Sequence, residues 1–361
     1  MTSSSTTYLD LSKGTYVGGD IRYESGGPNI GYVKDGQYVD FYVENETPSY
    51  YTLQANIPWY QGAGKFTVTI TDVATSTEEA TATSASITAT SDATVVISNK
   101  ITAGLKTLRI SFAKDEGTST TYLFNLKNIT FYQRSLNEDY DYSPVAASNV
   151  DVELVRSIAA GKWATLVLPF AMTSTQRTEA FGANAKFAKL SSYDSSTSTL
   201  TFASVGSEEN TVANQPYMVY LDNAFSTYTF TNVTVSTDNI TESKPTQTAG
   251  DASFVGTYSP LSSLPTGSYF ISNNQWMKAA SGNTISMKGT RAYFTISGAS
   301  SSRELKFVVE GETTGINVIG QSDNVQSDNW YDLQGRLIIK SSNRQMKKGL
   351  YIVNGKKVVV K

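Results

Sequence analysis

The chain has 361 residues, a formal charge of −3 and only 17% Lys, Arg, Asp and Glu. That is length for two or three ordinary domains, without a basic field for nucleic acid or a polyanionic tail. Histidine and cysteine are both absent, which excludes Ser-His-Asp and Cys-His nucleophiles, His-ligated catalytic zinc, thiolate metal sites and disulfides, and leaves carboxylate or lysine chemistry, oxygen-ligated calcium, or binding without reaction.

No apolar run approaches the roughly 20 residues that span a bilayer. The opening MTSSSTTYLDLSKG lacks a charged region followed by an apolar core, and reads as the start of a mature or excised fragment. Apolar residues alternate with polar ones, and tyrosine, serine and threonine are abundant, so the expected class is all-β. In chain order the strand candidates are QYVDFYV (37–43), KFTVTI (65–70), TLRISF (107–112), FNLKNITFY (124–132), WATLVLPF (163–170), TYTFTNVTV (227–235) and the two halves of LYIVNGKKVVVK (350–361). In the last, Asn354-Gly355 offers both positive-φ positions of a two-residue hairpin turn. The best helical candidate is RTEAFGANAKFAKL (177–190). The Ser/Thr/Ala-rich stretch 73–98, which has no aromatic residue, is expected on surface strands and loops.

This pattern divides the chain into a strand-rich unit at 8–133, a polar, acidic, proline-containing linker at 134–151 and a second strand-rich unit at 152–311. A further linker at 312–329 precedes a short third unit at 330–361.

Within GGPNIGYVKDGQYVDFYV (26–43), Tyr32 stands between a glycine-rich turn and a Lys-Asp-Gly turn, and by itself reads as a packing or strand-edge residue. Taken with ITAGLKTLRISF (101–112) and YLFNLKNITF (122–131), which follow in order, the unit resembles carbohydrate-binding modules of the family 6 and family 35 type. The likeness covers about a third of the chain. It implies a β-sandwich of jelly-roll type whose loops hold a sugar between an aromatic residue and an asparagine, which fall on Tyr32 and Asn125. A pyranose has an apolar C–H face that stacks on a ring, and its hydroxyls need an amide offering donor and acceptor together. The second aromatic that the family draws from the loop before the A-G-x-x-x-L-R strand is missing from 73–98. Trp59 or Tyr60, in NIPWYQGAGKF (56–66), can replace it from a different connection, with packing as the alternative role. Asp10 falls where the family has acidic ligands to a structural calcium, a site of about 6 to 8 oxygens; no other cofactor is implied.

The adjacent carboxylates Glu78/Glu79, Asp139/Asp141 and Glu208/Glu209 lie in polar runs and read as solvated charge rather than as a hydrolase pair, which must face each other across about 5–9.5 Å. In the second unit KWATLVLPFAMT, QPYMVYL, GSYFISNNQW and GTRAYFTI resemble β-rich regions of secreted, polysaccharide-associated proteins of Bacteroidetes-type bacteria, a likeness with no chemistry attached. Trp276 and Tyr269 there are either hairpin core or a second glycan patch. The third unit, WYDLQGRLIIKSSNRQMKKGLYIVNGKKVVVK, resembles the C-terminal sorting-type tail of those bacteria, or else is a terminal hairpin; its Lys347, Lys348, Lys356, Lys357 and Lys361 are expected to face solvent. The expectation is a secreted or surface-displayed, non-catalytic protein whose partner is a plant cell-wall polysaccharide or oligosaccharide, alone or below a catalytic domain upstream. The alternative is a structural or adhesive surface protein without sugar binding.

Overall fold

The computed structural model describes residues 6–310 except 242–243, 273, 283 and 298–304, and beyond them the backbone of strands at 317–318, 330–331, 337–338, 349–353 and 356–360. The chain is all-β, with one α-helix among the described residues. Its contacts divide it into Met1–Gly320 and Gln321–Lys361.

Near the N-terminus the two-residue alternation decides the layers. Strand Tyr38–Asn45 buries Val39 and Phe41, Gly64–Asp72 buries Phe66, Val68 and Ile70, and Gly104–Lys114 buries Leu108, Ile110 and Phe112. These three, with Thr15–Val17 and Glu78–Thr83 at the edges, form a five-stranded antiparallel sheet. It faces a four-stranded sheet of Thr6–Tyr8, Lys127–Gln133, Ser49–Asn56 and Asp92–Ile101, whose Tyr51, Leu53 and Phe131 close one common core. Each such aliphatic or aromatic side chain contributes about 1.5–3 kcal/mol on burial. The stretch 73–98 is less superficial than its composition suggests, because Ala80, Ile87, Ala93, Val95 and Ile97 turn into that core. Small and β-branched residues fill the narrow positions between larger ones.

The inward register also captures a charge. Lys106 points the same way as Leu108 and is 0% exposed. Its ammonium donates to Asp72 Oδ2 (2.5 Å), Thr102 Oγ1 (2.8 Å) and Glu79 Oε1 (2.9 Å). The hydrogen bond from Lys106 is the largest influence holding the Asp72 carboxyl down to about 2. A carboxyl depressed on folding contributes stability above its ordinary pKa of about 4 and loses that contribution as pH falls toward 2.

Residues 134–151 are packed rather than a free linker. Ser135–Asn137 pairs in parallel with Ala147–Ile158, which pairs antiparallel with Phe225–Val235. Arg134, Leu136, Glu138 and Tyr142 are all buried. Arg134 donates to the backbone carbonyls of Tyr51, Ile97 and Asp151. Glu138 accepts from Arg291 Nη2 (2.6 Å), Lys288 Nζ (3.3 Å) and the Ser157 amide (3.3 Å). Two of the charges that gave the segment its polar character, Arg134 and Glu138, are thus taken up by internal partners.

The region after it carries a five-stranded sheet, ordered Trp163–Leu166, Tyr217–Tyr220, Lys186–Asp194, Thr199–Ser204, Lys306–Val309. A seven-stranded sheet is ordered Ile240–Thr241, Lys244–Ala249, Ala252–Thr257, Arg291–Ile296, Tyr269–Ser272, Gln275–Lys278, Asn317–Val318. Asn317–Val318 belongs to the expected linker 312–329, whose other residues lie outside the described ones. Trp276 is 0% exposed and stacks on Phe307 (centroids 3.7 Å apart, planes 7° apart), and Tyr269 is buried in the same cluster, so both are core and form no glycan patch.

The helix is Ser174–Phe181, shifted toward the N-terminus from its expected place. Thr173 and Gln176 form a capping box, with Thr173 Oγ1 accepting from the Gln176 amide (3.1 Å) and Gln176 Oε1 from the Thr173 amide (3.0 Å). Gly182, at φ 93°, ends it. The second half of the candidate stretch is strand Lys186–Asp194, which buries Ala188 and Leu190 from one face in one core cluster and Phe187 from the other face in a second.

Gln321–Lys361 holds a four-stranded sheet ordered Leu337–Ile338, Trp330–Tyr331, Gly349–Val353, Lys356–Val360. Val353 pairs with Lys356, so the last two strands are joined by two residues, as expected for a hairpin through Asn354-Gly355; that turn and the five lysine side chains lie outside the described residues.

Candidate functional site

The groove is built by a small hairpin and two connecting segments. The hairpin pairs Arg22–Glu24 with Asn29–Gly31. Directly after it the backbone turns at Tyr32, which has φ 59°. That left-handed conformation costs an L-residue about 1–2 kcal/mol and is unusual for a bulky side chain. It keeps the fully buried Val33 in the core and leaves Tyr32 37% exposed. A glycine would meet the backbone requirement at lower cost, so the presence of a tyrosine calls for a use of its ring.

The second wall is zipped rather than looped. The Asn125 amide donates to Trp59 O (3.0 Å), Tyr60 bridges Phe124, and the Gln61 amide donates to Leu123 O (2.8 Å). This ladder imposes alternation on 59–61. Trp59, 42% exposed, and Gln61 face the groove, whereas Tyr60 packs against the sandwich core and is not among the groove residues. Tyr60, expected as a substitute for Trp59, is therefore set aside.

Glu24, Tyr32, Trp59, Gln61, Tyr122 and Asn125 line a groove of about 380 Å³. Asn125 Nδ2 donates to Glu24 Oε2 at 3.3 Å, which orients the amide. Gly31 permits this, since a Cβ there would lie 2.1 Å from Glu24 Oε2. Tyr122 meets Tyr32 edge to face (centroids 5.8 Å, planes 84° apart), a favoured aromatic geometry. Its hydroxyl donates to Asp20 Oδ2 at 3.3 Å. Lys34 Nζ donates to the same oxygen at 2.5 Å, and that bond is the main cause of a lowered Asp20 pKa and a raised Lys34 pKa. The Arg22 guanidinium lies 3.6 Å from the Tyr32 ring centre and is not among the residues lining the groove.

The sequence reading missed Tyr122, Glu24 and Gln61. Tyr122 opens the same YLFN stretch that ends in Asn125 and supplies an aromatic near Tyr32 that 73–98 lacks. Gly62 was its faint signal: a Cβ there would sit 1.8 Å from Thr120 Oγ1, in the connection that carries Tyr122.

Asp10 is placed elsewhere, capping the short 3-10 turn Leu11–Lys13. Its Oδ1 accepts from the Ser12 amide (3.0 Å) and hydroxyl (2.6 Å), and the hydroxyl bond leads in lowering its pKa. No group of three or more Asp or Glu residues among the described residues is arranged to hold a metal. One carboxylate engaged in a cap does not fit a calcium site. The adjacent acidic pairs are also engaged, Glu79 with Lys106, Asp139 with Lys288 (2.8 Å) and Glu209 with Lys189 (2.9 Å). Glu24 is the single carboxylate lining the aromatic groove.

No family model matches the chain, and no curated protein does. Among solved structures, the C-terminal family 6 carbohydrate-binding module of LamC, a marine laminarinase from Zobellia galactanivorans, is similar at 16% identity over 35% of this chain and 98% of its own, with a TM-score of 0.25. A family 6 module of Clostridium stercorarium, solved with cellobiose, is similar at 19% identity over 36% of this chain and 93% of its own, with a TM-score of 0.26.

Proposed function

We propose that this chain is a non-catalytic glycan-binding protein, with its sugar site in the groove of Tyr32, Trp59, Tyr122 and Asn125. The observation that carries this reading is the convergence of three aromatic side chains and a fixed amide in one open groove of about 380 Å³. A ring offers the apolar face that a pyranose stacks on, and the Asn125 amide offers the donor and acceptor that its hydroxyls need. An open site of this kind binds with micromolar to millimolar affinity, about −4 to −8 kcal/mol. The expected ligand is a plant cell-wall polysaccharide, and the motif set of the tail at 330–361 supports a secreted or surface-displayed protein, alone or as the binding portion of a larger polysaccharide-degrading one.

The test is electrophoresis of the full chain through gels containing soluble xylan, glucomannan or mixed-linkage β-glucan. Retardation in at least one, relative to a gel without polysaccharide, is the expected result. Unretarded migration in all of them favours the alternative, a structural or adhesive surface protein.

A further inference from the structure

We infer that Glu24 sets the charge selectivity of the groove, so that glycans carrying amino sugars are preferred to uncharged ones and glycans carrying uronic acids are disfavoured. The inference rests on the glycan-binding reading and adds the chemical class of the ligand. Three aromatic rings beside one carboxylate are the components of an ammonium-binding site, since ring faces and a carboxylate both attract a cation.

Glu24 is the one formally charged residue lining the groove. Two cations that lie against the groove's rings have other partners. Lys34 is paired with Asp20 at 2.5 Å, and Arg22 lies against the Tyr32 ring outside the groove lining. Among the described residues the carboxylate receives the 3.3 Å bond from the neutral Asn125 amide and forms no ion pair. A sugar stacked on Tyr32 or Trp59 therefore meets a negative group beside the same amide that orients it. A protonated 2-amino group there gains a charge-assisted hydrogen bond, and a C6 carboxylate meets repulsion. In an open groove the attraction is modest, and about a fivefold gain for the cationic sugar over the neutral one is expected at low salt, shrinking as salt screens it.

The experiment is titration calorimetry of the full chain with three β-1,4-linked hexasaccharides that share one backbone: glucose, glucosamine and glucuronic acid units, at pH 5.5 and low salt. The expected order is glucosamine tightest, glucose intermediate and glucuronic acid weakest, with about fivefold between neighbours. Glu24→Gln keeps an oxygen acceptor for Asn125 while removing the charge, and in it the ratio of glucosamine to glucose affinity should fall to about one, whatever happens to the glucose affinity itself. Equal affinities in the wild type, a preference for the glucuronic acid ligand, or a preference for glucosamine that survives Glu24→Gln each overturn the inference. So does binding of none of the three. The polysaccharide gels separately decide whether the protein binds glycan at all, so retardation there alongside failure here rejects only the role of Glu24.

Discussion

Tyr32→Gly should lose about 30-fold in glycan affinity, about 2 kcal/mol, while the unfolding free energy stays within about 1 kcal/mol of wild type. The two effects separate because the ring and the backbone make opposite demands. The ring supplies a stacking face plus contacts with Arg22 (3.6 Å) and Tyr122 (5.8 Å), each worth about 0.5–1 kcal/mol at an exposed site. The backbone at φ 59° relaxes when the side chain is removed, returning about 1–2 kcal/mol. Denaturant unfolding and affinity electrophoresis on the same preparation check both. A variant that binds normally would remove Tyr32 from the site, and one that unfolds readily would make it a packing residue.

Glu138→Ala should produce the largest loss of stability, about 3–5 kcal/mol in denaturant unfolding. Glu138 is buried, and its carboxylate accepts from Arg291, Lys288 and the Ser157 amide. Close by, Arg156 is buried with only the Thr290 and Thr165 sides as partners, and burial, then the Arg291 cation, pulls its pKa well down. Removing the carboxylate leaves Arg291 facing Arg156 without a counter-charge. Glu138→Gln retains the acceptor but not the charge and should lie between alanine and wild type. Glycan binding of the surviving folded protein should not change, because Glu138 is not part of the groove.

The sandwich was legible because its strands alternate with few exceptions, and two-residue alternation is the direct imprint of one buried face. Tyr32, Trp59 and Asn125, separated by up to about a hundred residues, meet in one groove; the resemblance in three ordered motifs points to Tyr32 and Asn125, whereas Trp59 is legible only as a substitute for the aromatic that 73–98 lacks. Tyr122 escaped because a tyrosine in the connection before strand Lys127–Gln133 has no local mark of its direction. Tyr60 was misjudged because its sidedness depends on the bridge to Phe124, a pairing made far along the chain. Residues 134–151 misled for a related reason. Polar composition reports solvent exposure only when charges stay solvated, and Arg134 and Glu138 spend theirs on partners that sequence spacing does not disclose. Lys106 is the same case in miniature, a charge at an inward position that Asp72 and Glu79 make tolerable. The helix was placed late because the strong Thr173–Gln176 capping signal lies upstream of the apolar residues that drew attention to 177–190.

The central claim, that the groove takes a sugar against its aromatic rings, is tested most directly by tryptophan fluorescence during titration with a soluble oligosaccharide of the polysaccharide that retards the protein most. Trp59 is substantially exposed in the groove, whereas Trp163 and Trp276 are buried. A ligand stacking in the groove removes water from Trp59. The predicted result is a saturable blue shift of emission that disappears in Trp59→Phe, with calorimetric binding weakened but retained. A blue shift that persists in Trp59→Phe, or saturable binding heat with no change in wild-type emission, would place the sugar elsewhere and contradict the assignment.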